Sequence, residues 1–208
     1  MDPMGTPLGR LSSICWRMGY VTDTDPTKLG IAAFPFRHEE DSLLISIAGY
    51  TYEAYAIGDS EEIVILRMVL PVHPVVRKVF MNIEEDLAER LSFEFFANAI
   101  DGSERTGFLP EPAVATTVDA ADALVVRQKL LLPHADHVVM QRVMDAIQEL
   151  LSRYKYLERE LFRAFLAACG HLPDEGEDEE DESGGDGGDG SGFDGLNDFE
   201  PGWQHRLT

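Results

Sequence analysis

The sequence is poor in cysteine and contains none of the cysteine patterns that define a fold or a metal site. Its 208 residues include two cysteines, Cys15 and Cys169. They fall on two separate helical patterns, and neither belongs to a C-x-x-C or zinc-like spacing. The scarcity excludes a disulfide-rich scaffold. We expect two small buried thiols in a reducing compartment, with a disulfide between the first and last helices as the alternative.

Long apolar runs are also missing. No stretch approaches the length of a membrane span. Residues 1–20 lack the continuous apolar core of a signal peptide, because Arg10 and Arg17 interrupt it. The sequence therefore predicts a cytoplasmic protein with no membrane contact.

Basic residues are scarce, and the charge is unevenly distributed. The chain has 17 Lys and Arg against 38 Asp and Glu, for a formal net charge of −21. Thirteen of those carboxylates lie between Asp174 and Glu200, which contains no base, while residues 1–173 hold 25 acids and 16 bases. Both parts repel phosphate, so we expect no nucleic acid or anionic membrane partner. An acidic proteome, as in salt-adapted organisms, would produce the same excess.

Hydrophobic periodicity in the first half predicts one helix followed by strands. Apolar residues at spacings of three and four indicate a helix ended by Gly19: Leu8, Leu11, Ile14, Cys15 and Met18. Asp23 to Thr27 is typical of a turn. Short or alternating apolar segments separated by turns then predict consecutive strands over 31–36, 43–48, 50–56 and 63–70, which favours an antiparallel meander.

The second half predicts further helices around one strong strand. Residues 75–80 are ambiguous, and the pattern from Ile83 to Ile100 is helical. Val114 to Val118 is a possible strand, and Leu124 to Leu132 is a convincing one, stopped by Pro133. Asp136 to Ala168 contains no Gly or Pro, which predicts a helix about 50 Å long. The expected class is α+β: an antiparallel sheet flanked by an N-terminal helix, a middle helix and a long C-terminal helix.

The long helix carries an apolar stripe that predicts a homodimer. Its members step by three and four residues: Met140, Val143, Ile147, Leu150, Tyr154 and Leu157. The stripe is wider and longer than a small sheet needs, and such an excess is usually covered by a second subunit. The alternative is that the sheet and the helix over 84–100 cover it entirely.

The composition collapses after the long helix. We expect a folded domain over 1–170 and a disordered, acidic, Gly-rich tail over 171–208. The tail ends with apolar residues spaced among carboxylates, which indicates a partner-binding motif: Phe193, Leu196, Phe199 and Trp203. The segment could dock onto another protein or, through a linker that reaches about 25 Å, fold back over its own domain. An inert solubilising terminus is the third possibility.

No set of residues predicts catalysis, a metal site or a cofactor. His134 and His137 flank Asp136, which we interpret as a helix cap rather than part of a metal site. His73 stands between prolines and is interpreted as a structural turn residue. The Gly- and Asp-rich run "GGDGGDGSGFDG" does not repeat and lacks EF-hand spacing, so a solvated linker is favoured over calcium binding.

The order of elements resembles the type III secretion chaperone-like fold. The resemblance is carried by "LLISIAGYTYEAYAI" and "EEIVILRMVLP" as strands, "EEDLAERLSFEFFANAI" as the middle helix, and "ALVVRQKLLLP" followed by "HADHVVMQRVMDAIQELLSRYKYLERELF" as the closing strand and helix. The chain looks most similar to a family of uncharacterised archaeal proteins with that fold. The resemblance implies a small acidic homodimer that holds a polypeptide partner in extended form, and it supplies no catalytic residues. We therefore expect a non-catalytic protein-binding or chaperone-like module; the alternative is an adaptor or regulator whose acidic, aromatic tail is the ligand for another protein.

Overall fold

A computed structural model describes residues 5–31, 42–58, 60, 62–104, 117–133 and 139–171. Within these ranges the chain forms a five-stranded antiparallel sheet and four α-helices, which confirms the α+β class. The elements, in chain order, are α1 (Pro7–Arg17), β1 (Val21–Asp23), a short 3-10 helix (Pro26–Leu29), β2 (Leu43–Ile47), β3 (Tyr50–Ala56), β4 (Ile63–Pro71), α2 (Pro74–Asn82), α3 (Glu85–Glu104), β5 (Ala123–Leu131) and α4 (Val139–Cys169).

Local chemistry sets the ends of several elements. Thr6 caps α1, because its hydroxyl accepts the N–H of Gly9 at 3.1 Å. His73 caps α2 in the same way, since its Nδ1 accepts the N–H of Val75 at 3.2 Å. This confirms the interpretation of His73 as a structural residue.

The sheet is a simple meander with strand order β1-β2-β3-β4-β5. The β2–β3 hairpin turns at Ala48 and Gly49, which both have positive φ (49° and 84°), as a tight two-residue hairpin turn requires. β4 and β5 pair along nine residues, from Ile63 opposite Leu131 to Pro71 opposite Ala123.

α1 and α4 pack on one face of the sheet, here called the helix face, and α2 and α3 pack against α4. Their buried residues form a single core with alternate residues of β2 to β5, and the strand members are Leu43, Ile45, Tyr52, Ala54, Val64, Leu66, Met68, Leu70, Leu124, Val126 and Leu130. The intervening residues of each strand point to the opposite face, here called the second face. They include Leu44, Glu53, Tyr55, Arg67, Val125, Arg127, Lys129 and Leu131.

α4 crosses the helix face in the direction opposite to β5. Near its start, Gln128 of β5 donates to the carboxylate of Glu149 at 3.1 Å. Further along, Tyr154 packs against Tyr50, which lies at the same end of the sheet as the first residue of β5. The C-terminal end of α4 therefore points away from the Leu131 end of β5.

Several local predictions differ from the structure. Val21–Asp23 forms a short edge strand that was not predicted, the turn expected over Asp23 to Thr27 leads into the 3-10 helix Pro26–Leu29, and the ambiguous residues 75–80 belong to α2. Residues 117–118 are not part of a strand. The proposed strand over 31–36 lies outside the described residues apart from Ile31, as does most of the one over 114–118.

Candidate functional site

The apolar stripe of α4 lies mostly in the chain's own core. Val143, Ile147, Leu150 and Leu157 are buried within the single chain, and Tyr154 is half-buried. Met140 is 39% exposed. Four of the six residues of the stripe are therefore covered by the sheet and the neighbouring helices, as the alternative to a dimer expected. A second subunit has no access to those four in this fold.

The other predicted sites of interest fall outside the described residues. The tail residues Phe193, Leu196, Phe199 and Trp203, and the boundary between a folded domain and a disordered tail, are among these, as are His134, Asp136 and His137. Both cysteines are free: Cys15 is buried, whereas Cys169 is half-buried.

Tyrosines and a carboxylate gather where α4 crosses the β2–β3 hairpin. The rings of Tyr50 and Tyr154 meet edge to face at 5.9 Å, and the Lys155 ammonium lies 5.5 Å from the centre of the Tyr50 ring. Tyr52 is fully buried beside them, and Glu158 is 3% exposed.

The electrostatics of this cluster keep its phenols protonated at neutral pH. Burial raises the pKa of Tyr52 to about 12. Burial and, secondarily, the Glu158 carboxylate raise the pKa of Tyr154 well above its ordinary range, and the same two causes raise the pKa of Tyr50. Burial therefore disfavours the ionised form of each of the three phenols.

The second face of the sheet carries a buried ion pair. Glu53 of β3 and Arg67 of β4 are directly opposite each other, and Arg67 Nε donates to Glu53 Oε2 at 2.5 Å. Their side chains are 0% and 9% exposed. The Arg67 guanidinium also lies 5.8 Å from the centre of the Tyr55 ring.

The positive charge on this face continues onto β5. Arg127 is directly opposite Arg67, and Lys129 follows two residues later on the same side, with both Arg127 and Lys129 exposed. The second face therefore brings together three cations, Arg67, Arg127 and Lys129, and one anion, Glu53. The chain as a whole has a net charge of −21. We call Val125, Arg127, Lys129 and Leu131 the β5 edge surface; Leu131 is 47% exposed and Val125 is buried.

β5 is the last strand of the sheet, and its outer edge pairs with no described strand. At one end of the β4–β5 ladder the Val72 N–H donates to the Asp122 carbonyl, and at the other end the Leu132 N–H donates to the Glu62 carbonyl. In each case the two residues lie directly opposite each other. Since hydrogen-bonded pairs alternate along an antiparallel ladder, the even-numbered residues of β5 bond to β4. The backbone groups of the odd-numbered residues, which include the whole β5 edge surface, therefore point outward. Such an edge is a template for an added strand.

The sequence predicted β5 but not this surface. In "ALVVRQKLLLP" the alternation of Arg127 and Lys129 with Gln128 and Leu130 is a two-residue period, and it indicates a strand with one polar side. What no local pattern indicates is that β5 ends the sheet and that its cations lie beside Arg67.

Metal-binding clusters and membrane-spanning helices are both absent from the described residues. Within 5–31, 42–58, 60, 62–104, 117–133 and 139–171, no group of three or more His, Cys, Asp or Glu side chains is arranged to hold a metal ion. None of the helices in those ranges is long and apolar enough to cross a membrane.

Comparison with known proteins finds a similar fold but no similar sequence. No protein-family model and no curated protein matches the sequence significantly. The structure is similar to the crystal structure of an uncharacterised protein from Methanothermobacter thermautotrophicus, with a TM-score of 0.54 and 8% sequence identity, over 75% of this chain and 96% of that one. The neighbour shares the fold and comes from an archaeon, which is consistent with the resemblance to an uncharacterised archaeal family.

Proposed function

We propose that this protein is a non-catalytic protein-binding module, chaperone-like in action, that holds an extended polypeptide segment along the edge of β5. The observation that carries the proposal is the combination, on one edge strand, of outward-pointing backbone groups with two exposed cations. Backbone groups supply affinity for any extended chain, and the side chains select among sequences.

The charge of the surface defines the partner that suits it. Arg127 and Lys129 favour a segment with carboxylates at alternate positions, and Leu131, which is 47% exposed at one end, favours an apolar side chain beside it. The buried Arg67–Glu53 pair supports this arrangement from the neighbouring strand, because it holds a second guanidinium next to Arg127.

The experiment uses a synthetic probe of nine residues, the length of β5. A fluorescein-labelled peptide that alternates Glu with Val is titrated with the full chain and followed by fluorescence anisotropy. The matched probe alternates Lys with Val. We expect the acidic peptide to bind at least about tenfold more tightly than the basic one, which corresponds to about 1.4 kcal/mol.

Charge reversal locates the binding surface. The double variant Arg127→Glu, Lys129→Glu is expected to lose at least about tenfold in affinity for the acidic probe. The matched control is Lys78→Glu, Arg90→Glu, which makes the same change in net charge at exposed positions of α2 and α3. Equal losses in the two variants would show that only long-range charge matters and would overturn the proposal.

The second candidate function is an adaptor or regulator whose tail is the ligand for another protein. It is favoured by the four apolar residues set among carboxylates, Phe193, Leu196, Phe199 and Trp203, because a purely solubilising tail has no use for them. Under this alternative, replacing Phe193, Phe199 and Trp203 with Ser abolishes partner capture while reversal of Arg127 and Lys129 does not. The opposite result supports the β5 edge.

Two broader features belong to the same proposal. A cytoplasmic location is supported by the two free thiols, which suit a reducing compartment. A homodimer, which the chaperone-like reading also implies, would have to use a surface other than the buried residues of α4.

A further inference from the structure

We propose that a second copy of this chain docks on the outer side of α3, with Phe93 at the two-fold axis of a homodimer. The inference rests on the homodimer included in the proposed function, and it names the surface that such a dimer uses. That surface includes neither the buried stripe of α4 nor the edge of β5.

α3 has one buried side and one exposed side. The buried side chains join the core, in which α3 packs against α4, and they are Ala88, Leu91, Phe95 and Ala99. Four exposed residues, at spacings of four, three and four, form a single row on the opposite side, here called the outer row: Asp86, Arg90, Phe93 and Ala97. A row with this spacing is the kind of seam along which two helices pack.

Phe93 lies within the outer row and is its one large apolar side chain. It is 73% exposed, so its ring gains from being removed from water. Ala97, one turn further along α3, is small and lets a facing helix approach the ring closely. Aromatic side chains are enriched at the centres of protein interfaces, which makes Phe93 the anchor of this surface.

The charges beside Phe93 select a second copy as the occupant. Arg90 precedes Phe93 by three residues, and Glu94 follows it by one. Both side chains are exposed, and neither takes part in a hydrogen bond or ion pair within the part of the chain that the structure describes. A surface that presents a cation and an anion beside an exposed ring complements itself, as a two-fold interface requires.

A two-fold axis beside Phe93 brings those charges together. In an antiparallel pair of α3 helices, Arg90 lies about 4.5 Å before the axis, and Glu94 of the second copy lies about 1.5 Å before it, so the two are offset by about 3 Å along the helix. The symmetry forms this ion pair twice, once at each end of the contact between the two Phe93 rings.

The size of the contact sets the expected strength of the dimer. One helix from each copy buries less area than a standard protein interface. We therefore expect a dimer that forms at tens of micromolar and dissociates on dilution.

Sedimentation velocity of the full chain over a dilution series from tens of micromolar tests the proposal. The parent is expected to be dimeric at the highest concentrations, and Phe93→Ser to weaken the dimer at least about tenfold. The matched control is Trp16→Ser, which removes another exposed aromatic side chain, 77% exposed on α1, and should leave the dimer unchanged.

A charge exchange tests the register. Arg90→Glu alone places two carboxylates across the axis, and Glu94→Arg alone places two guanidinium groups there, so each should weaken the dimer at least about tenfold. In an equimolar mixture of the two variants every facing pair is again one cation and one anion, and the mixture should recover the dimer. Lys78→Glu, at an exposed position of α2, makes the same charge change as Arg90→Glu and should leave the dimer intact.

Four results would overturn the inference. They are a parent that stays monomeric at tens of micromolar, a dimer that resists Phe93→Ser, a mixture of the charge variants that stays monomeric, and a dimer that Lys78→Glu weakens as much as Arg90→Glu does. Dissociation by Trp16→Ser or Met140→Ser instead would assign the interface to α1 or α4.

Binding of the acidic probe separates this inference from the proposed function. Phe93→Ser should bind the probe as tightly as the parent, because the β5 edge is not part of this surface. The charge control Lys78→Glu, Arg90→Glu should likewise bind the probe although it loses the dimer. A dimer that does not bind the probe would remove the function and leave this inference standing, whereas a monomeric parent that binds the probe would do the reverse.

Discussion

Two buried polar side chains near each other on β3 contribute to the stability of the fold in opposite ways. The Tyr52 hydroxyl is buried and has no hydrogen-bond partner among the described residues. Glu53, the next residue, points to the other face and is held by Arg67. A buried donor without a partner lowers the free energy of unfolding by about 1–3 kcal/mol. Removing one partner of a buried ion pair lowers it by a similar amount or more.

Removing the Tyr52 hydroxyl should therefore stabilise the protein. We expect Tyr52→Phe to raise the free energy of unfolding by about 1 kcal/mol at neutral pH. The folded-state pKa of about 12 lies above the ordinary value of 10.0, so deprotonation favours the unfolded state as the pH rises from 10 to 12. The advantage of the variant should widen by up to about 2 kcal/mol over that interval. Urea unfolding at neutral pH and near pH 11 measures both effects, and an equal or lower midpoint for the variant would contradict them.

Breaking the Glu53–Arg67 pair should be costly. We expect Glu53→Gln to lower the free energy of unfolding by about 3 kcal/mol, because it leaves a guanidinium buried without its carboxylate. The control is Lys28→Gln, which breaks the surface pair with Asp23, where Lys28 is 66% exposed, and should cost less than about 1 kcal/mol. Denaturant midpoints compare the two variants, and similar losses would mean that the pair on the second face is screened like a surface one.

At the scale of elements, the two sets of alternate residues in β5 have different surroundings. Its even-numbered residues bond to β4 and face the helices, whereas its odd-numbered residues present backbone and side chains at the edge. A strand in the middle of the sheet would have no such outward groups. The ladder therefore predicts where proline is tolerated.

Lys129→Pro should be much less destabilising than Gln128→Pro. Proline at 129 removes an outward N–H, whereas proline at 128 removes an N–H that bonds to β4, and each ladder bond is worth about 1 kcal/mol before strain is counted. Because Gln128 also donates to Glu149, Gln128→Ala is the control that isolates the side-chain contribution. Thermal unfolding ranks the three variants. Equal losses for the two prolines would show that β5 has a partner on its outer edge.

At the scale of the whole molecule, the distribution of exposed apolar side chains bears on the number of subunits. The stripe of α4 that predicted a dimer is largely used inside the single chain, and its one well-exposed member is Met140. Other large apolar side chains are exposed on separate elements, such as Trp16 at 77% on α1 and Phe93 at 73% on α3.

Light scattering of the full chain at tens of micromolar measures the subunit number. If the proposed dimer forms through α4, Met140→Ser should dissociate it without lowering the melting temperature appreciably. Leu150→Ala, the matched core variant, should instead cost about 2–5 kcal/mol of stability. A monomer in the parent would remove the dimer and with it one support for the chaperone-like reading.

The sequence by itself determined the types and order of most elements, because periods of two and of three to four residues follow directly from strand and helix geometry. It thereby predicted α1, β2 to β5, α3 and α4, and the α+β class. Short or mixed segments were decided by tertiary contacts: β1 exists because it pairs with β2, and residues 75–80 become α2 where His73 and Pro74 begin a helix against α4.

Only the tertiary structure decided what each face of a helix or strand packs against. That α4 buries its own stripe depends on helices and sheet stacking together, which no local period encodes. The same is true of the site: Glu53, Arg67 and Arg127 are neighbours because a meander places three strands side by side, although 73 residues of chain separate the first from the last. Alternation shows that such residues share a face, but only the register of the folded sheet brings their charges together at its edge.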